Sequence, residues 1–134
     1  MIQKSDDRNQ KSDGAPVKSF EDLRVFQRAY AISLDVHRAS LGWPQMEQFA
    51  LADQVRRASK SVCANIAEGF GRQRGSGAEF RRFLRMAVGS CDEMQVWAHY
   101  AWDLGCLTEQ EGVKWKREYV EIAKMLRALS DSWK

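Results

Sequence analysis

Residues 65–85 read NIAEGFGRQRGSGAEFRRFLR, and this stretch decides the fold. Gly69 and Gly71 predict the end of one helix, because glycine readily adopts the left-handed conformation found at helix C-termini. SGAE at 76–79 predicts the start of the next helix through a capping box, with Ser76 as the N-cap. Two helices joined by so short a turn are expected to pack side by side as a hairpin.

Apolar periodicity on both sides of this hairpin predicts four helices. The first runs from about Phe20 to Leu41, the second from about Pro44 to Glu68, and the third from Ser76 to the glycine at 105. The fourth opens with a second capping box, TEQE at 108–111. Each predicted helix has one core stripe. In the first helix the stripe is Leu23, Phe26, Tyr30, Leu34 and Leu41, and in the second it is Leu51, Val55, Ala58, Val62 and Ile66. In the third it is Phe80, Phe83, Leu84, Ala87, Cys91, Met94, Ala98 and Ala101, and in the fourth it is Trp115, Tyr119, Ile122, Leu126, Leu129 and Trp133. The sequence therefore predicts an all-α fold, an antiparallel up-down-up-down four-helix bundle.

The remaining sequence sets bounds on this bundle. Residues 1–18 are polar and aperiodic, which predicts a disordered or loosely held tail before a bundle spanning 19–134. No apolar run approaches the ~20 residues of a membrane span, and the N-terminus lacks the apolar core of a secretion signal. Cys63, Cys91 and Cys106 show no CxxC spacing, so we expect neither a disulfide framework nor a zinc site, and a cytoplasmic protein.

Catalytic constellations are missing from the sequence. The two histidines, His37 and His99, have neither an HExxH context nor a Glu-x-x-His partner. His37 borders the core stripe of the first helix and His99 is expected to be solvated. The glycine-rich segment at 69–77 follows a helix instead of a strand, which argues against a phosphate loop. We therefore expect no enzymatic activity, no metal and no cofactor.

Positive charge is concentrated around the hairpin. Between residues 56 and 85 there are eight basic and two acidic residues, a net of +6, whereas the whole chain has a net charge of +3. The basic residues are Arg56, Arg57, Lys60, Arg72, Arg74, Arg81, Arg82 and Arg85. We expect them to form one band near one end of the bundle that binds the phosphates of RNA or DNA independently of base sequence. The alternatives are a solvated surface or an acidic protein partner.

A second apolar stripe on each of two helices predicts an oligomer. The residues are Val25, Ala29, Ile32 and Val36 on the first helix, and Met86, Trp97 and Tyr100 around Glu93 on the third. Soluble monomers seldom expose such stripes, so we expect them to contact neighbouring subunits. Contacts between two different faces are heterologous and can close into a ring.

Four segments carry a resemblance to a known family: SFEDLRVFQRAY at 19–30, LADQVRRASKSVCANIAEGFGR at 51–72, EFRRFLRMAVGSCDEM at 79–94 and LGCL at 104–107. They resemble the four-helix-bundle proteins encoded in intervening sequences of bacterial 23S ribosomal RNA genes. That family also includes the accessory variability protein of diversity-generating retroelements. The resemblance covers residues 19–133.

The resemblance implies a barrel-like homopentamer that binds nucleic acid and, through the retroelement relatives, a reverse transcriptase. It places the basic positions for that role among Arg56, Arg57, Arg72, Arg81, Arg82 and Arg85. Relatives often carry proline where this chain has Cys63, so the second helix is expected to run straighter here. The resulting hypothesis is a non-enzymatic oligomeric nucleic-acid-binding protein; the alternative is an oligomeric scaffold or adaptor whose partner is a protein.

Overall fold

The structure is a computed structural model that describes residues 16–73 and 75–133. Within them lie four α-helices, α1 (Arg24–Leu41), α2 (Leu51–Arg72), α3 (Gly77–Asp103) and α4 (Glu109–Ser132), with short 3-10 helices at Phe20–Asp22 and Gln45–Glu47 and no strand. The prediction of an all-α chain is confirmed. The predicted tail lies outside the described residues except for 16–18.

Three of the four predicted core stripes are buried. Every predicted core residue of α2 and α3 is buried, and so are those of α4 apart from Trp133, which is partly buried. Together with residues of α1, these buried positions apart from Phe83 form one hydrophobic core, and Trp133 packs against it. Spacing alone identified these positions because each of the three helices has one dominant apolar face.

The two stripes of α1 are exchanged relative to the prediction. The stripe assigned to a neighbouring subunit, Val25, Ala29, Ile32 and Val36, is at most 5% exposed and lies in the core of this chain. The stripe assigned to the core is the more exposed one: Tyr30 is 51% and Leu41 is 60% exposed, although Leu23 is buried. The assignment of the first four residues to an oligomer interface is therefore wrong.

Two serines explain this exchange. Ser33 and Ser40 share the buried side of α1 and add two hydroxyl groups to it. The Ser33 hydroxyl donates to the Tyr30 carbonyl at 2.7 Å and the Ser40 hydroxyl to the His37 carbonyl at 2.8 Å. Because both hydroxyls are satisfied within their own helix, the face that carries them can be buried at little cost.

The glycines at the end of α2 do not act as predicted. α2 continues through Arg72, and the one residue with a positive φ in the described part of the chain is Gly105, at 81°. Gly105 ends α3 as expected, whereas Gly69 is a packing residue. A Cβ atom on Gly69 would lie 2.6 Å from the Cβ of Phe83. Glycine at this position therefore allows α2 and α3 to approach closely.

The N-termini of α3 and α4 agree with the predicted caps better than the C-terminus of α2 does. The Thr108 hydroxyl accepts from the Glu111 amide at 3.1 Å and the Glu111 carboxylate accepts from the Thr108 amide at 2.8 Å, which confirms the second capping box. At α3 the Ser76 hydroxyl accepts from the Glu79 amide at 3.3 Å. The Glu79 carboxylate instead binds Arg82, so the first capping box is half formed.

Contacts between helix ends show how the four helices meet. The end of α2 packs against the start of α3 at Gly69. Arg81, at the start of α3, donates to the Trp133 carbonyl at the end of α4 at 2.7 Å. Arg28 on α1 forms a bidentate ion pair with Glu118 on α4, at 2.8 and 2.9 Å. α1 and α3 each pack between α2 and α4.

Within residues 16–73 and 75–133, one buried side-chain oxygen lacks a hydrogen-bond partner. Tyr119 is fully buried, and among the described residues nothing hydrogen-bonds its hydroxyl. An unsatisfied buried hydroxyl costs about 1–3 kcal/mol. We expect Tyr119→Phe to raise the free energy of unfolding by about 1 kcal/mol in urea denaturation. Ser40→Ala, which removes a bonded hydroxyl, should lower it; a loss of stability in Tyr119→Phe would contradict the prediction.

Candidate nucleic-acid interface

The predicted basic residues do not form a single band at the α2–α3 end. Arg56 and Arg72 both lie on α2. They are 16 positions apart, which corresponds to ~24 Å along a helix. Only the last turns of α2 adjoin the turn into α3, so Arg56, Arg57 and Lys60 lie towards the opposite end of the bundle. Arg74 lies outside the described residues. The remaining arginines divide into two groups.

The first group surrounds Phe83 beside the turn. The guanidinium carbons of Arg72 and Arg82 lie 5.2 and 4.7 Å from the centre of the Phe83 ring. Arg72 forms an ion pair with Glu68 at 2.9 Å, and Arg82 pairs with Glu79 at 3.2 Å. The hydrogen bond from Arg82 lowers the pKa of Glu79. Two carboxylates thus neutralise two guanidinium groups. The contact between Arg72 and Phe83 joins α2 to α3 beside the turn.

The second group faces α4 along a groove between α3 and α4. Arg81, Arg85 and Arg127 line this groove together with Asp92 and Asp131. Arg81 donates a hydrogen bond to the Trp133 carbonyl at the end of α4, at 2.7 Å. Arg85 and Arg127 are exposed and form no ion pair within the described part of the chain. The two aspartates leave the groove with little net positive charge.

A third set of cations gathers where the second half of α1 meets the first half of α2. We call it the His37 patch: His37, Arg38, Arg56 and Lys60. The Lys60 Nζ lies 2.9 Å from the His37 Nδ1. Arg38 is exposed beside them. The patch therefore combines residues of two helices that are more than a dozen positions apart in sequence.

Arg56 holds a fixed position in the His37 patch. Its Nη1 donates to the Ser40 hydroxyl at 2.8 Å, and its Nη2 donates to the Gln48 carbonyl at 3.1 Å. These bonds join the end of α1 to the segment that leads into α2. All of these partners are neutral, so the charge of Arg56 is not cancelled. Its neighbour Arg57 differs, because it pairs with Asp53 at 2.9 Å.

The histidine reports the local electrostatic potential. The pKa of His37 lies below its ordinary value, chiefly because of Lys60 and then because of burial, Arg56 and Arg38. In the described residues no carboxylate forms an ion pair with Arg38, Arg56 or Lys60. Nearby cations disfavour the charged imidazolium. The His37 patch is therefore a site of uncompensated positive charge.

Sequence reasoning placed Arg56 and Lys60 among the binding residues but missed His37 and Arg38. It placed His37 beside the predicted core stripe of α1, and nothing in the sequence shows that Lys60, 23 positions later, meets it. Arg127 was missed for the same reason. Pairing of helical faces across a bundle is a tertiary property, and composition does not reveal it.

Two exposed apolar faces accompany these charges. The α1 apolar face consists of Phe26, Tyr30, Leu34 and Leu41, and the α3 apolar face consists of Met86, Val96, Trp97 and Tyr100. The Phe26 and Tyr30 rings stack with centroids 5.9 Å apart, and Trp97 and Tyr100 lie at the same separation. The Trp97 indole also donates to Glu93 at 3.1 Å. The predicted residues Met86, Trp97 and Tyr100 thus lie at the surface.

The described residues contain neither a cluster of metal-ligating side chains nor a helix suited to a membrane. Among residues 16–73 and 75–133, no three histidine, cysteine, aspartate or glutamate side chains are grouped as metal ligands would be. Over the same residues, no helix combines the length and apolar character that crossing a bilayer requires.

Comparison with protein families places the chain. The family model described as 23S rRNA-intervening sequence protein matches residues 21–128. No match was found among individual curated proteins. The matched segment begins in the first 3-10 helix and ends within α4, so it includes both helices of the His37 patch and both apolar faces. A match over this length, together with the four segments quoted above, shows that the chain belongs to the 23S rRNA-intervening sequence protein family.

Proposed function

We propose that this protein is a non-enzymatic, oligomeric binding protein that holds RNA or DNA through phosphate groups, independently of base sequence. The observation that carries the proposal is the His37 patch, where Arg38, Arg56 and Lys60 converge without a paired carboxylate. Positive charges held close together destabilise a fold unless an anion compensates them. A nucleic-acid backbone supplies such anions at regular spacing.

The chemistry of the patch suits a phosphodiester. Arg56 presents a guanidinium group whose orientation is fixed by Ser40 and Gln48, and guanidinium groups bind phosphate oxygens in a bidentate manner. Lys60 and Arg38 add exposed charges that can adjust to the backbone. Such contacts position a nucleic acid without reading its bases. Arg85 and Arg127 offer a weaker second contact on the other side of the bundle.

Assembly is the second part of the proposal. The contacts between helix ends support an antiparallel up-down-up-down bundle, in which α1 and α3 lie across from each other. The α1 and α3 apolar faces consequently point in different directions. If the α1 face of one subunit packs on the α3 face of the next, the contact is heterologous and can close into a ring. The number five is implied by the family resemblance.

A ring would repeat the His37 patch around its axis. Several weak phosphate sites on one body bind a long polyanion far more tightly than one site does. The retroelement relatives suggest a reverse transcriptase as a further partner. The competing function is a scaffold that binds only protein. In that case the exposed Tyr30 and Tyr100 would contact a different protein instead of a second copy of this chain.

The test compares two double variants of equal charge. Arg38→Gln with Lys60→Gln removes two charges from the His37 patch and spares Arg56, which has a structural role. Arg117→Gln with Lys124→Gln removes two exposed charges from α4. We expect the first pair to weaken binding of a thymidine oligonucleotide at low salt by about fivefold or more, because each exposed charge contact contributes up to ~1 kcal/mol.

The control pair should change binding less than twofold, as fluorescence anisotropy would show. Raising the salt should weaken wild-type binding with a log–log slope of about −0.7 per phosphate contacted on a single strand. Equal losses in the two double variants would locate binding elsewhere. Absence of wild-type binding at low salt would overturn the proposed function and leave the protein scaffold.

A further inference from the structure

We infer that the His37 patch is a proton-regulated phosphate site, in which protonation of His37 both adds a charge and releases Lys60 for the ligand. The inference rests on the proposed function and assigns a regulation to that site. It is carried by the 2.9 Å contact between the Lys60 Nζ and the His37 Nδ1, which joins α2 to α1.

The contact between Lys60 and His37 is compatible with only one protonation state of the imidazole. An ammonium group can only donate, so the Nδ1 of His37 must accept and the imidazole must be neutral. A proton on Nδ1 would place two donors and two positive charges within hydrogen-bonding distance. The contact would then break, and the flexible Lys60 side chain would turn towards solvent, where a phosphate oxygen can accept from it. The same proton turns His37 itself into a phosphate donor.

The other charges around His37 act in the same direction. Arg56 and Lys60 face it from α2, and Arg38 follows it on α1. The nearest acid on α1 is Asp35, which is paired with Lys114 of α4 at 3.3 Å. On α2, Asp53 is paired with Arg57 at 2.9 Å. Both carboxylates are therefore engaged, and a bound phosphate would be the anion that compensates the imidazolium.

The direction of the regulation follows from linkage. The surrounding cations hold the pKa of His37 below its ordinary value, so the ligand-free site is neutral at His37 near pH 7. A bound phosphate favours the charged imidazole and raises that pKa. By reciprocity, lowering the pH must strengthen phosphate binding, and binding must take up protons. A site that simply used permanent arginine and lysine charges would show neither effect.

The chain contains a matched control. It has two histidines, and both contact a lysine: the His99 Nε2 lies 2.6 Å from the Lys116 Nζ. His99 lies on α3 and contacts α4, whereas the His37 patch belongs to α1 and α2. Exchange of either histidine for glutamine replaces the imidazole ring with a neutral polar side chain.

The experiment measures binding of a thymidine oligonucleotide to wild type, His37→Gln and His99→Gln at about pH 7.5 and about pH 5.5, a range that spans histidine titration. We expect wild-type and His99→Gln binding to tighten about twofold to fivefold per site at the lower pH, as one added exposed charge contact predicts. The His37→Gln variant should bind comparably at both values. NMR titration of the His37 ring should show a higher pKa with oligonucleotide than without it.

The outcomes separate the two claims. Wild-type binding that is equal at both pH values, or that stays pH-dependent in His37→Gln, overturns the proton regulation while leaving the proposed function intact. A pH response lost in His99→Gln but kept in His37→Gln assigns the titration to the wrong histidine and also overturns it. Absence of binding at either pH overturns the proposed function, and the regulation with it.

Discussion

Tyr100→Glu is expected to leave the subunit folded and to separate the oligomer into monomers. Tyr100 is 53% exposed, so a charged side chain at this position costs an isolated bundle little. In the proposed ring it would lie between two apolar faces, where an unpaired charge costs several kcal/mol. Light scattering on the purified protein should show the change in mass, while circular dichroism should show unchanged helicity.

The complementary substitution lies on α1. Tyr30→Glu should have the same effect, because a heterologous contact needs both faces. Val120→Glu on α4 is the matched control: Val120 is also exposed but lies on neither apolar face, and this variant should keep the mass of the wild type. Monomeric wild-type protein at micromolar concentration, or equal loss of assembly in all three variants, would rule out the proposed interface.

Gly69→Ala is expected to destabilise the subunit, although alanine is ordinarily the better helix former. The added methyl group would lie 2.6 Å from the Phe83 Cβ and 3.0 Å from the Phe80 Cδ1. The Phe83 Cβ is attached to the backbone of α3, so relief requires that two helices move apart. Overpacking of this kind costs about 1–3 kcal/mol, and we expect a loss in the upper half of that range.

A second glycine on the same helix provides the comparison. A Cβ on Gly71 would meet nothing within 4 Å. Gly71→Ala should therefore stabilise α2 by about 0.5–1 kcal/mol, the ordinary gain from replacing a helical glycine. Chemical denaturation of both variants measures the two signs. A stabilising Gly69→Ala would mean that α2 and α3 are not in close contact at this position.

These two glycines also show where sequence reasoning reaches its limit. In sequence, both looked like residues that end a helix. One fits beneath Phe83 and the other faces open space, and only the neighbouring helix distinguishes them. The eight core positions of α3 were read correctly because their stripe is long and unbroken, whereas the second apolar face of this helix is shorter and contains Glu93.

The core stripe of α1 was predicted wrongly because this helix has two apolar faces of nearly equal size, with five and four residues. Its buried side carries Ser33 and Ser40, whose hydroxyls are satisfied by their own helix and so no longer behave as polar. Periodicity detects both faces but cannot rank them. The residues predicted to reach outwards consequently lie in the core, and Tyr30 points away from it.

The binding role of the basic residues stays a prediction, and their arrangement differs from the expected single band. Clustered arginine and lysine correctly pointed to local positive charge, and Arg56 and Lys60 do contribute to it. Proximity in sequence was a poor guide to the rest. Glu68 and Glu79 neutralise arginines at the turn, while His37 and Arg38 join the patch from a different helix.

The three cysteines differ in burial, since Cys91 is buried and Cys63 and Cys106 are partly exposed. Only the thiolate reacts quickly with alkylating and oxidising agents. Burial raises the pKa of the Cys91 thiol to about 12, and it also raises those of Cys63 and Cys106. A raised pKa favours the protonated thiol, so all three cysteines react more slowly at neutral pH than a fully exposed cysteine does. Cys91 lies in the core and becomes accessible when the bundle opens. Its rate of alkylation would therefore measure how often the whole bundle opens.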